Sequence, residues 1–503
     1  MNKRSILEYL EESARLFPDK DAFIGEGCAL SFSEIYECAR AIGTCLVSKG
    51  LNRCAVALVM GREPETVSAI FGAMMAGCFY VCIDKDMPEA RKIAIMEKSR
   101  ACAVIVKQGD IEHARVLSGR AEVLTYEEAS AARVDAEALS EVAERMIDTD
   151  LAYITFTSGS SGEPKGVSTS HRALLDYAEA LCSSLPFSHG TVFGNQAPLY
   201  YDAPMKEILP TVMLGASTVF VPSELFLFPV RLLEYICQKG INTLCWAASA
   251  FSTVSSLGAL DKVDVSHLRL ICHGSESFPR REYDKWRRSC PNTVFVNLYG
   301  PTEATGMSAY WIADRELEMG ESIPIGRAFP NTEIFLIDEK GNESDRGEIY
   351  IRGGCLSSGY FNDEDATESV FVKDPRNKYL CERVYRTGDA ARINERGELV
   401  YLGRLDRQIK LMGRRIEPAE IERSAEECSF VSVARCVFDG ERGRIILGYV
   451  GECEERVLFS HLKNRLPSFM LPRRVCRLAS VPRLPNGKTD RRELESILLG
   501  EKY

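Results

Sequence analysis

Short apolar runs alternate with amphipathic stretches through the first 300 residues of the chain. Runs rich in Val, Ile and Phe predict strands at 54–60, 79–84, 102–107, 217–222, 268–274 and 294–300. Apolar residues at helical spacing predict helices between them, as at 64–77 and 229–240. Such alternation favours parallel sheets covered by helices, in which ligands bind at the carboxyl ends of the strands.

The pattern changes beyond residue 320. Alternating runs separated by Gly, Asn and Asp occur at 332–338, 347–353, 384–394 and 397–404. This pattern is typical of a small antiparallel, barrel-like unit. From residue 407 a mixed pattern of helices and strands predicts a separate α+β domain.

The predicted fold class is therefore α/β. We expect a large N-terminal part at 1–405, built from two doubly wound α/β subdomains plus a small β-barrel. A mobile α+β domain is expected at 406–503. The length of 503 residues agrees with this division, since it exceeds what one hydrophobic core normally serves.

The composition is that of a globular protein with an acidic surplus. Asp and Glu number 72 against 62 Lys and Arg, which gives a net charge of −10. That balance argues against general nucleic-acid binding, which needs clustered positive charge. No apolar run approaches the roughly 18 residues that span a bilayer, and the N-terminus resembles an amphipathic helix more than a signal peptide. We therefore expect a cytoplasmic protein without membrane insertion.

The chain has 18 cysteines, and none of them belongs to a C-x-x-C pair. Most lie inside apolar runs, as Cys78 and Cys82 do. We interpret them as reduced, buried thiols that pack as small hydrophobic side chains. The six histidines do not cluster in the sequence, which gives little basis for a metal centre of the zinc type.

The segment TFTSGSSGEPKG, residues 155–166, combines small hydroxyl residues, glycines and one lysine. Such a composition lets the backbone turn tightly and direct several N–H and O–H donors at one anion. It is not a Walker A loop, because Gly159 and Gly162 are too close together and no Gly-Lys-Ser/Thr follows. Either the segment grips the phosphates of a nucleotide or it is a flexible Ser/Gly linker.

Nine motifs, in order along nearly the whole chain, resemble the adenylate-forming superfamily, and within it the amino-acid adenylation domains of nonribosomal peptide synthetases. They are LSFSEI (30–35), AMMAGCFYVCID (73–84), LAYITFTSGSSGEPKG (151–166), NLYGPTEAT (297–305), GEIYIRGGCLSSGYF (347–361), YRTGD (385–389), GRLDRQIKLMGRRIEPAEIE (403–422), LPSFMLP (466–472) and PNGKTDRREL (485–494). Agreement at nine successive motifs makes chance an untenable explanation. Among stand-alone members the resemblance extends to D-alanine–carrier protein ligases.

The resemblance implies a two-step reaction. A substrate carboxylate attacks the α-phosphate of ATP to give an acyl-adenylate and pyrophosphate. The thiol of a phosphopantetheinylated carrier protein then takes the acyl group. Attack by one anion on another requires charge neutralisation and in-line positioning. ATP and Mg²⁺ are the implied cofactors.

Lys488, in NGKTDR, resembles the family's catalytic lysine, which bridges the substrate carboxylate and the α-phosphate. Thr302 is implied to bond the α-phosphate and Glu303 to ligate Mg²⁺. Asp389 is implied to hold the ribose hydroxyls, and Arg404 to contact the ribose or phosphate side. The implied ATP-binding residues are Thr157, Ser158, Gly159, Ser160, Ser161, Gly162, Lys165, Tyr299, Gly300, Thr302, Asp389 and Arg404.

Two further residues have roles implied by the resemblance. Tyr299 corresponds to the aromatic residue that stacks on the adenine. Asp406 corresponds to the hinge about which the C-terminal domain rotates between the two half-reactions. Since the sequence ends at Tyr503, soon after Lys488, we expect a stand-alone ligase that loads a separate carrier protein.

Asp202, in YYDAPMKEIL, aligns with the family's aspartate for the α-amino group of the substrate. A buried carboxylate is costly unless a positive group pairs with it, which suits an incoming ammonium. Tyr201 and Pro204 depart from the family's Phe and Ser, so the alternative for Asp202 is a surface helix cap. The family pattern predicts a substrate pocket of Asp202, Ala203, Lys206, Cys245, Ile271, His273, Leu298, Gly306 and Met307.

Lys206 and His273 are predicted to face the substrate side chain, which favours an acidic amino acid of the glutamate or aspartate type. The alternative for Lys206 is that it points to solvent along its helix. D-alanine stays an alternative substrate, although its ligases have a small, thiol-containing pocket in place of His273. A coenzyme A ligase for a carboxylic acid also stays open, although Asp202 disfavours it. A non-catalytic adenylate-binding regulator also stays open, although every expected catalytic position carries the expected residue type, which disfavours it.

Overall fold

The computed structural model describes residues 3–159, 163–440, 442–483 and 489–500. The chain divides into two compact units. The first comprises Met1–Lys85, Ser99–Thr155 and Gly166–Leu405, and the second comprises Asp86–Lys98, Phe156–Lys165 and Asp406–Tyr503. Within the described ranges, no helix is both long enough and apolar enough to cross a membrane.

The strands are short, mostly of three to eight residues. Those that precede residue 330 are β1 (Asp21–Ile24), β2 (Ala29–Ser31), β3 (Ala55–Met60), β4 (Phe79–Asp84), β5 (Ala103–Val106), β6 (Glu122–Thr125), β7 (Leu151–Thr157), β8 (Lys165–Ser170), β9 (Val192–Asn195), β10 (Ser217–Phe220), β11 (Thr243–Ala247), β12 (Leu270–Gly274), β13 (Val294–Tyr299), β14 (Ala309–Ile312) and β15 (Arg327–Ala328). Those that follow are β16 (Thr332–Ile337), β17 (Arg346–Gly353), β18 (Gly359–Tyr360), β19 (Phe371–Lys373), β20 (Arg383–Ile393), β21 (Leu399–Arg404), β22 (Ile409–Leu411), β23 (Arg414–Ile416), β24 (Val431–Asp439), β25 (Arg444–Gly451) and β26 (Arg474–Arg477).

The α-helices lie mostly between the strands of the first 300 residues. They are α1 (Leu7–Leu16), α2 (Phe32–Ser48), α3 (Pro64–Met75), α4 (Glu89–Ser99), α5 (Ile111–Leu117), α6 (Tyr126–Ser130), α7 (Ala136–Arg145), α8 (His171–Ser184), α9 (Met205–Leu214), α10 (Pro229–Gln238), α11 (Ala248–Ser256), α12 (Arg280–Ser289), α13 (Glu364–Val370), α14 (Pro418–Glu426), α15 (Glu455–Lys463) and α16 (Arg491–Leu499).

Two largely parallel sheets dominate the first unit. One has nine strands in the order β15-β14-β13-β12-β11-β9-β10-β1-β2, and the other has seven in the order β18-β8-β7-β4-β3-β5-β6. In one sheet the strands from β9 through β13 pair in parallel with their neighbours, and in the other sheet the strands from β3 through β6 do so. These strands arise from near-continuous apolar runs, because a parallel strand is buried on both faces.

Helices α2, α3, α8 and α9 join the two sheets through one apolar cluster. That cluster contains residues of all four helices together with Leu58 of β3 and Phe193 of β9. The start of α2 is fixed by a capping box. Ser31 Oγ accepts a hydrogen bond from the Glu34 N–H, and the Glu34 carboxylate accepts one from the Ser31 N–H.

A second apolar cluster covers the other face of the nine-stranded sheet. It includes side chains of α10, α11 and α12. We call the face toward the first cluster, which carries Cys245 and Cys272, the inner face. The face toward the second cluster, which carries Trp246 and Ile271, is the outer face. Successive residues of each strand alternate between the two faces.

The remaining sheets are mainly antiparallel. β16, β17, β19, β20 and β21 form a five-stranded sheet of the first unit. The second unit contains the hairpin β22-β23 and the three-stranded sheet β24-β25-β26. Its own core is built on residues such as Ile421, Leu447 and Leu458. The predicted α/β class, with an α+β C-terminal region, is confirmed.

The strand predictions agree closely with the observed bounds. β4 occupies the predicted residues 79–84, whereas β12 begins at Leu270, later than the predicted start at residue 268. The predicted helices at 64–77 and 229–240 correspond to α3 and α10. Strand existence was therefore predictable from apolar runs, and only the ends shifted.

Gly72→Ala is expected to destabilise the first unit by roughly 1–3 kcal/mol, the usual cost of overpacking. Where α3 crosses α2, a Cβ added at Gly72 lies 2.6 Å from the Ile42 side chain and 3.1 Å from the Ala39 carbonyl oxygen. The denaturant midpoint of unfolding measures the change. Gly109→Ala is the matched control, because a Cβ added there has nothing within 4 Å. Equal midpoints for the two variants would contradict this packing account.

Candidate active site

Asp389 is buried, and Tyr299, Tyr401 and Arg404 donate hydrogen bonds to it. It faces Arg404 across the antiparallel pair β20–β21, where the two residues are register partners. Arg404 Nη1 and the Tyr401 hydroxyl each donate to Asp389 Oδ1 at 3.1 Å, and the Tyr299 hydroxyl donates to Oδ2 at 2.7 Å. The structure thus brings together three predicted nucleotide-binding residues, Tyr299, Asp389 and Arg404.

Tyr299 is the last residue of β13 and is itself buried. Burial raises the pKa of its phenol well above the ordinary value, and the charge of Asp389 adds to the shift. The phenol therefore stays protonated and acts as a donor. Its ring centroid lies 6.2 Å from that of Tyr401.

Glu303 lies in the turn between β13 and β14 and is fully buried. The Tyr360 hydroxyl donates to Glu303 Oε1 at 2.7 Å. A single buried carboxylate suits Mg²⁺, which binds through one or two carboxylates, water and substrate phosphates. The part of the chain that the structure describes contains no group of three or more His, Cys, Asp or Glu residues suited to a metal. The residues present therefore fit a Mg²⁺ ion that arrives with phosphates.

Gly300 follows β13 at a close approach of two backbone segments. A Cβ added there would lie 2.0 Å from the Gly306 carbonyl oxygen, so only glycine fits. The Ser308 N–H donates to the Tyr299 carbonyl at 2.7 Å and closes the loop. This geometry fixes the position of residues 300–307, which include the predicted phosphate and metal contacts.

Asp202 is partly buried in the turn that precedes α9. Burial raises the pKa of its carboxyl, while the Thr302 side chain and the charge of Lys206 act in the opposite direction. Helix α9 begins after Pro204 without a side-chain cap. Asp202 therefore does not cap the helix. Its carboxyl is available to a ligand, although burial disfavours its charged form.

Lys206 is buried in the first turn of α9, with 5% of the residue exposed. The alternative that it points to solvent is wrong. Its charge opposes the rise in the pKa of Asp202 and of Cys245, so it lies near both. Among the residues that the structure describes, the Lys206 ammonium makes no hydrogen bond or ion pair.

Glu207 lies next to Lys206 and is also buried. The Asn195 amide donates to Glu207 Oε2. Burial raises the pKa of Glu207 to about 7, and the charge of Lys206 limits that rise. Two adjacent buried ionisable groups are unusual in an apolar core and mark this turn of α9 as a polar site.

Cys245 and Cys272 are register partners on neighbouring strands and share the inner face. Burial, and then the neighbouring Cys272, raise the pKa of Cys245. A Cβ added at Gly306 would lie 3.3 Å from the Tyr177 ring, and Asp202 is one of the charges acting on that ring. These contacts bring together the predicted pocket residues Asp202, Lys206, Cys245, Leu298, Gly306 and Met307. Ala203 follows Asp202 in the turn before α9.

Ile271 and His273 lie on the opposite, outer face, which corrects their assignment to the substrate pocket. Ile271 belongs to the outer cluster. The His273 ring packs edge-on against Phe278 at 5.0 Å and Tyr283 at 5.7 Å. The side chains alternate along β12, so Cys272 occupies the inner face between them.

Four residues of the predicted phosphate loop are described, and all four lie in the second unit. They are Thr157, Ser158, Gly159 and Lys165. Ser158 Oγ donates to the Arg415 carbonyl at 2.8 Å. A Cβ added at Gly159 would lie 2.0 Å from the Glu163 carbonyl oxygen, so only glycine fits at this position.

The other predicted residues of this unit are Asp406 and Lys488. Asp406 is exposed, and its Oδ1 accepts a hydrogen bond from the Gln408 N–H at 3.0 Å. It is the first residue of the C-terminal segment of the second unit. Ser160, Ser161, Gly162 and Lys488 lie outside the described residues.

Sequence reasoning missed three residues of this site. Tyr360 and Tyr401 supply hydroxyl donors to Glu303 and Asp389. Tyr360 lies 57 residues from Glu303, so no local spacing connects the two. Cys272 was passed over for its neighbours on β12, although the thiol-containing pocket of similar ligases pointed to a cysteine.

His273→Phe is expected to make the protein more resistant to acid. Burial lowers the pKa of His273 to about 3, well below the unfolded value of about 6.5. The unfolded chain then binds the proton first, so the native state loses stability as the pH falls from about 6.5 toward 3. Phenylalanine suits the aromatic surroundings and takes no proton. The stability lost between pH 7 and pH 4 should shrink by on the order of 2–3 kcal/mol.

Denaturant midpoints at several pH values measure this effect. His113→Gln, at an exposed histidine, is the control and should leave the pH dependence unchanged. A pH dependence of His273→Phe equal to that of the unmodified chain would contradict the outer-face burial.

Comparison with known proteins identifies relatives of the chain. A family model described as AMP-binding enzyme matches residues 10–361. Tyrocidine synthase 1 of Brevibacillus parabrevis is 29% identical over 98% of this chain and 45% of that protein. The D-alanine–D-alanyl carrier protein ligase of Bacillus licheniformis is 28% identical over 97% of this chain and 99% of that protein. The amide bond synthetase McbA from Marinactinospora thermotolerans has the same fold, with a TM-score of 0.84, 21% identity and coverage of 98% and 99%.

The chain spans between 6% and 45% of the length of five synthase proteins that it matches. The family match covers well over half of the chain, from the N-terminal helix to the strand that carries Tyr360. The chain therefore belongs to the family of AMP-binding enzymes.

Proposed function

We propose that the protein activates an α-amino acid as its adenylate and transfers it to the phosphopantetheine thiol of a separate carrier protein. The observation that carries the proposal is the desolvated carboxyl of Asp202 beside the inner face. A carboxylate in such surroundings gains most from a positively charged partner, and the α-ammonium of an amino acid is one. An acid without an amino group leaves that carboxylate uncompensated, which disfavours a coenzyme A ligase for simple acids.

In the first half-reaction, an oxygen of the substrate carboxylate attacks the α-phosphorus of ATP. The bond from that phosphorus to the oxygen bridging to the β-phosphate breaks, and pyrophosphate leaves. We assign the Thr302 hydroxyl to the α-phosphate and Lys488 to the charge shared by carboxylate and phosphate. Lys165, Ser158 and Gly159 are assigned to the outer phosphates.

The nucleoside is assigned to the cluster around Asp389. A carboxylate can accept both hydroxyls of one ribose, and the donors Tyr299, Tyr401 and Arg404 fix its orientation. Glu303 would hold Mg²⁺, which supplies charge neutralisation of the phosphates when bound. The hydrogen bond from Tyr360 orients the Glu303 carboxylate for that task.

The second half-reaction forms a thioester. The carrier thiol attacks the carbonyl carbon of the aminoacyl group, and AMP leaves. We assign Asp406 as the hinge that lets the C-terminal region serve both steps, a role consistent with its exposed position at the start of that segment. Support for the carrier comes from a relative of nearly the same length, named as a carrier protein ligase.

The substrate class is assigned from Lys206. A buried ammonium without an ion pair is costly, and an acidic substrate side chain removes that cost. The substrate proposed is therefore a glutamate- or aspartate-like amino acid. His273 no longer contributes to this assignment, because it lies on the outer face.

A small amino acid such as D-alanine is the second candidate, and a separate observation favours it. The paired thiols of Cys245 and Cys272 make the inner face compact and apolar beside the predicted side-chain position. A non-catalytic regulator is disfavoured, since every position expected to act in catalysis carries the expected residue type.

Amino-acid-dependent exchange of labelled pyrophosphate into ATP tests the reaction class. We expect exchange with one amino acid from a panel of the L-amino acids, D-alanine, D-glutamate and D-aspartate. Lys488→Ala should abolish it without changing the fold, as checked by circular dichroism. Exchange with acids that lack an amino group would contradict the role of Asp202. Retained exchange in Lys488→Ala would remove that lysine from the mechanism.

Lys206→Met tests the substrate class. We expect kcat/KM for an acidic substrate to fall by roughly 30-fold or more, because truncating one partner of a buried charge pair costs about 2 kcal/mol or more. Activity with alanine should be unchanged or higher. Lys239→Met at an exposed lysine and His273→Phe on the outer face are the controls. An acidic preference that survives in Lys206→Met, or a strict preference for alanine in the unmodified chain, would contradict this assignment.

A further inference from the structure

Three cysteines lie immediately before three neighbouring parallel strands of the seven-stranded sheet. Cys54 precedes β3, Cys78 precedes β4 and Cys102 precedes β5. The Phe79 N–H donates to the Cys54 carbonyl at 3.1 Å, and the Cys102 N–H donates to the Ala55 carbonyl at 2.9 Å. The register of β4, β3 and β5 therefore places the three residues at the amino-terminal edge of the sheet, with Cys54 level with Cys78 and Cys102 level with Ala55.

The three thiols differ in solvent exposure, from exposed to fully buried. Cys102 is exposed, Cys54 is partly buried and Cys78 is fully buried. Cys54 Sγ and Cys78 Sγ are 3.8 Å apart. The backbone bond from Cys102 to Ala55, the residue after Cys54, places Cys102 beside Cys54 on the neighbouring strand.

Cys54 Sγ and Cys78 Sγ share a hydrogen bond in which either thiol can donate. This bond lowers the pKa of Cys78 in spite of burial. A thiolate is the attacking species in thiol–disulfide exchange, so Cys78 is suited to the final attack on Cys54. Neighbouring strand positions also satisfy the short Cα separation that a disulfide needs.

We propose that Cys54, Cys78 and Cys102 are a redox modification site, at which hydrogen peroxide converts Cys54 and Cys78 into a disulfide by way of Cys102. The Cys102 sulfur attacks one peroxide oxygen, the O–O bond breaks, and a sulfenic acid and water form. The Cys54 sulfur then attacks the Cys102 sulfur. A Cys54–Cys102 disulfide forms, and the sulfenic oxygen leaves as a second water. Finally Cys78 attacks Cys54 and releases the Cys102 thiol. Overall, two thiols lose two electrons and two protons, and the peroxide becomes two waters.

A second close pair provides an internal comparison. Cys428 Sγ and Cys453 Sγ are 3.7 Å apart, and both residues are buried. Proximity of the sulfurs is therefore similar in the two pairs. The pair Cys54–Cys78 differs because an exposed cysteine, Cys102, lies beside it.

The test is peptide mapping of the full chain after titration with hydrogen peroxide and alkylation of the remaining thiols. We expect a cross-linked peptide joining Cys54 to Cys78, about 2 Da lighter than the two reduced peptides together. It should disappear on reduction. Cys428 and Cys453 should stay alkylated at the same peroxide dose. Circular dichroism verifies that the chain stays folded.

Serine variants test whether the Cys54–Cys78 cross-link requires Cys102 or only the proximity of the two sulfurs. Cys102→Ser should lose the Cys54–Cys78 cross-link at low peroxide, whereas Cys381→Ser, at the other exposed cysteine among the described residues, should keep it. Cys78→Ser should trap a cross-link between Cys54 and Cys102. Alkylation of both Cys54 and Cys78 after peroxide would overturn the proposal, and so would equally fast cross-linking of Cys428 to Cys453. None of these residues has a role in the proposed ligase reaction, so the two proposals fail independently.

Discussion

The alternation of side chains along β11, β12 and β13 decides what each face of the nine-stranded sheet can do. The inner face carries Cys245 and Cys272 toward the helix that follows Asp202. The outer face carries Trp246 and Ile271 into an aromatic core under α10, α11 and α12. Because the side-chain period of a strand is two, a shift of one residue exchanges the roles of Cys272 and His273. The strand ends and the turn at Gly300 then place the loop that contains Thr302 and Glu303 beside the same face.

Charge is buried where α9 begins, and this arrangement is costly in the absence of a ligand. Asp202 has a raised pKa, Glu207 has a pKa of about 7, and Lys206 is buried beside both. Several kcal/mol are typically lost when an ion is removed from water without a full complement of partners. Natural cores keep such groups mainly at sites that bind or react. The ammonium and side-chain carboxylate of an acidic amino acid would compensate Asp202 and Lys206 together.

The fold could be predicted from the sequence to a large extent, and the site only in part. Apolar runs predicted β4 at its observed residues, because a parallel strand buried on both faces contains little else. For the same reason the runs did not indicate which face each residue occupies. The alternating signal that separates inside from outside is absent when both sides are apolar, so the sequence offered no check on the family pattern, which placed His273 in the pocket.

Contacts between distant segments were equally hidden from the sequence. Asp389 and Arg404 meet because β20 and β21 are paired in one register, and a register is set by turns and packing more than by local composition. The resemblance to a family supplied what spacing did not, since it named both residues. It did not name Tyr360 or Tyr401, whose hydroxyls orient the two carboxylates of the site.

The contact between Asp202 and the substrate ammonium is the centre of the functional account, and a double-mutant cycle measures it directly. The binding of an aminoacyl-sulfamoyl adenosine and of its des-amino analogue would be measured by calorimetry for the unmodified chain and for Asp202→Asn. We predict a coupling energy of about 1.5 kcal/mol or more, as found for close buried charge pairs. Coupling should weaken as the pH falls through the raised pKa of Asp202, since the protonated carboxyl carries no charge. A coupling energy near zero at neutral pH would contradict the account.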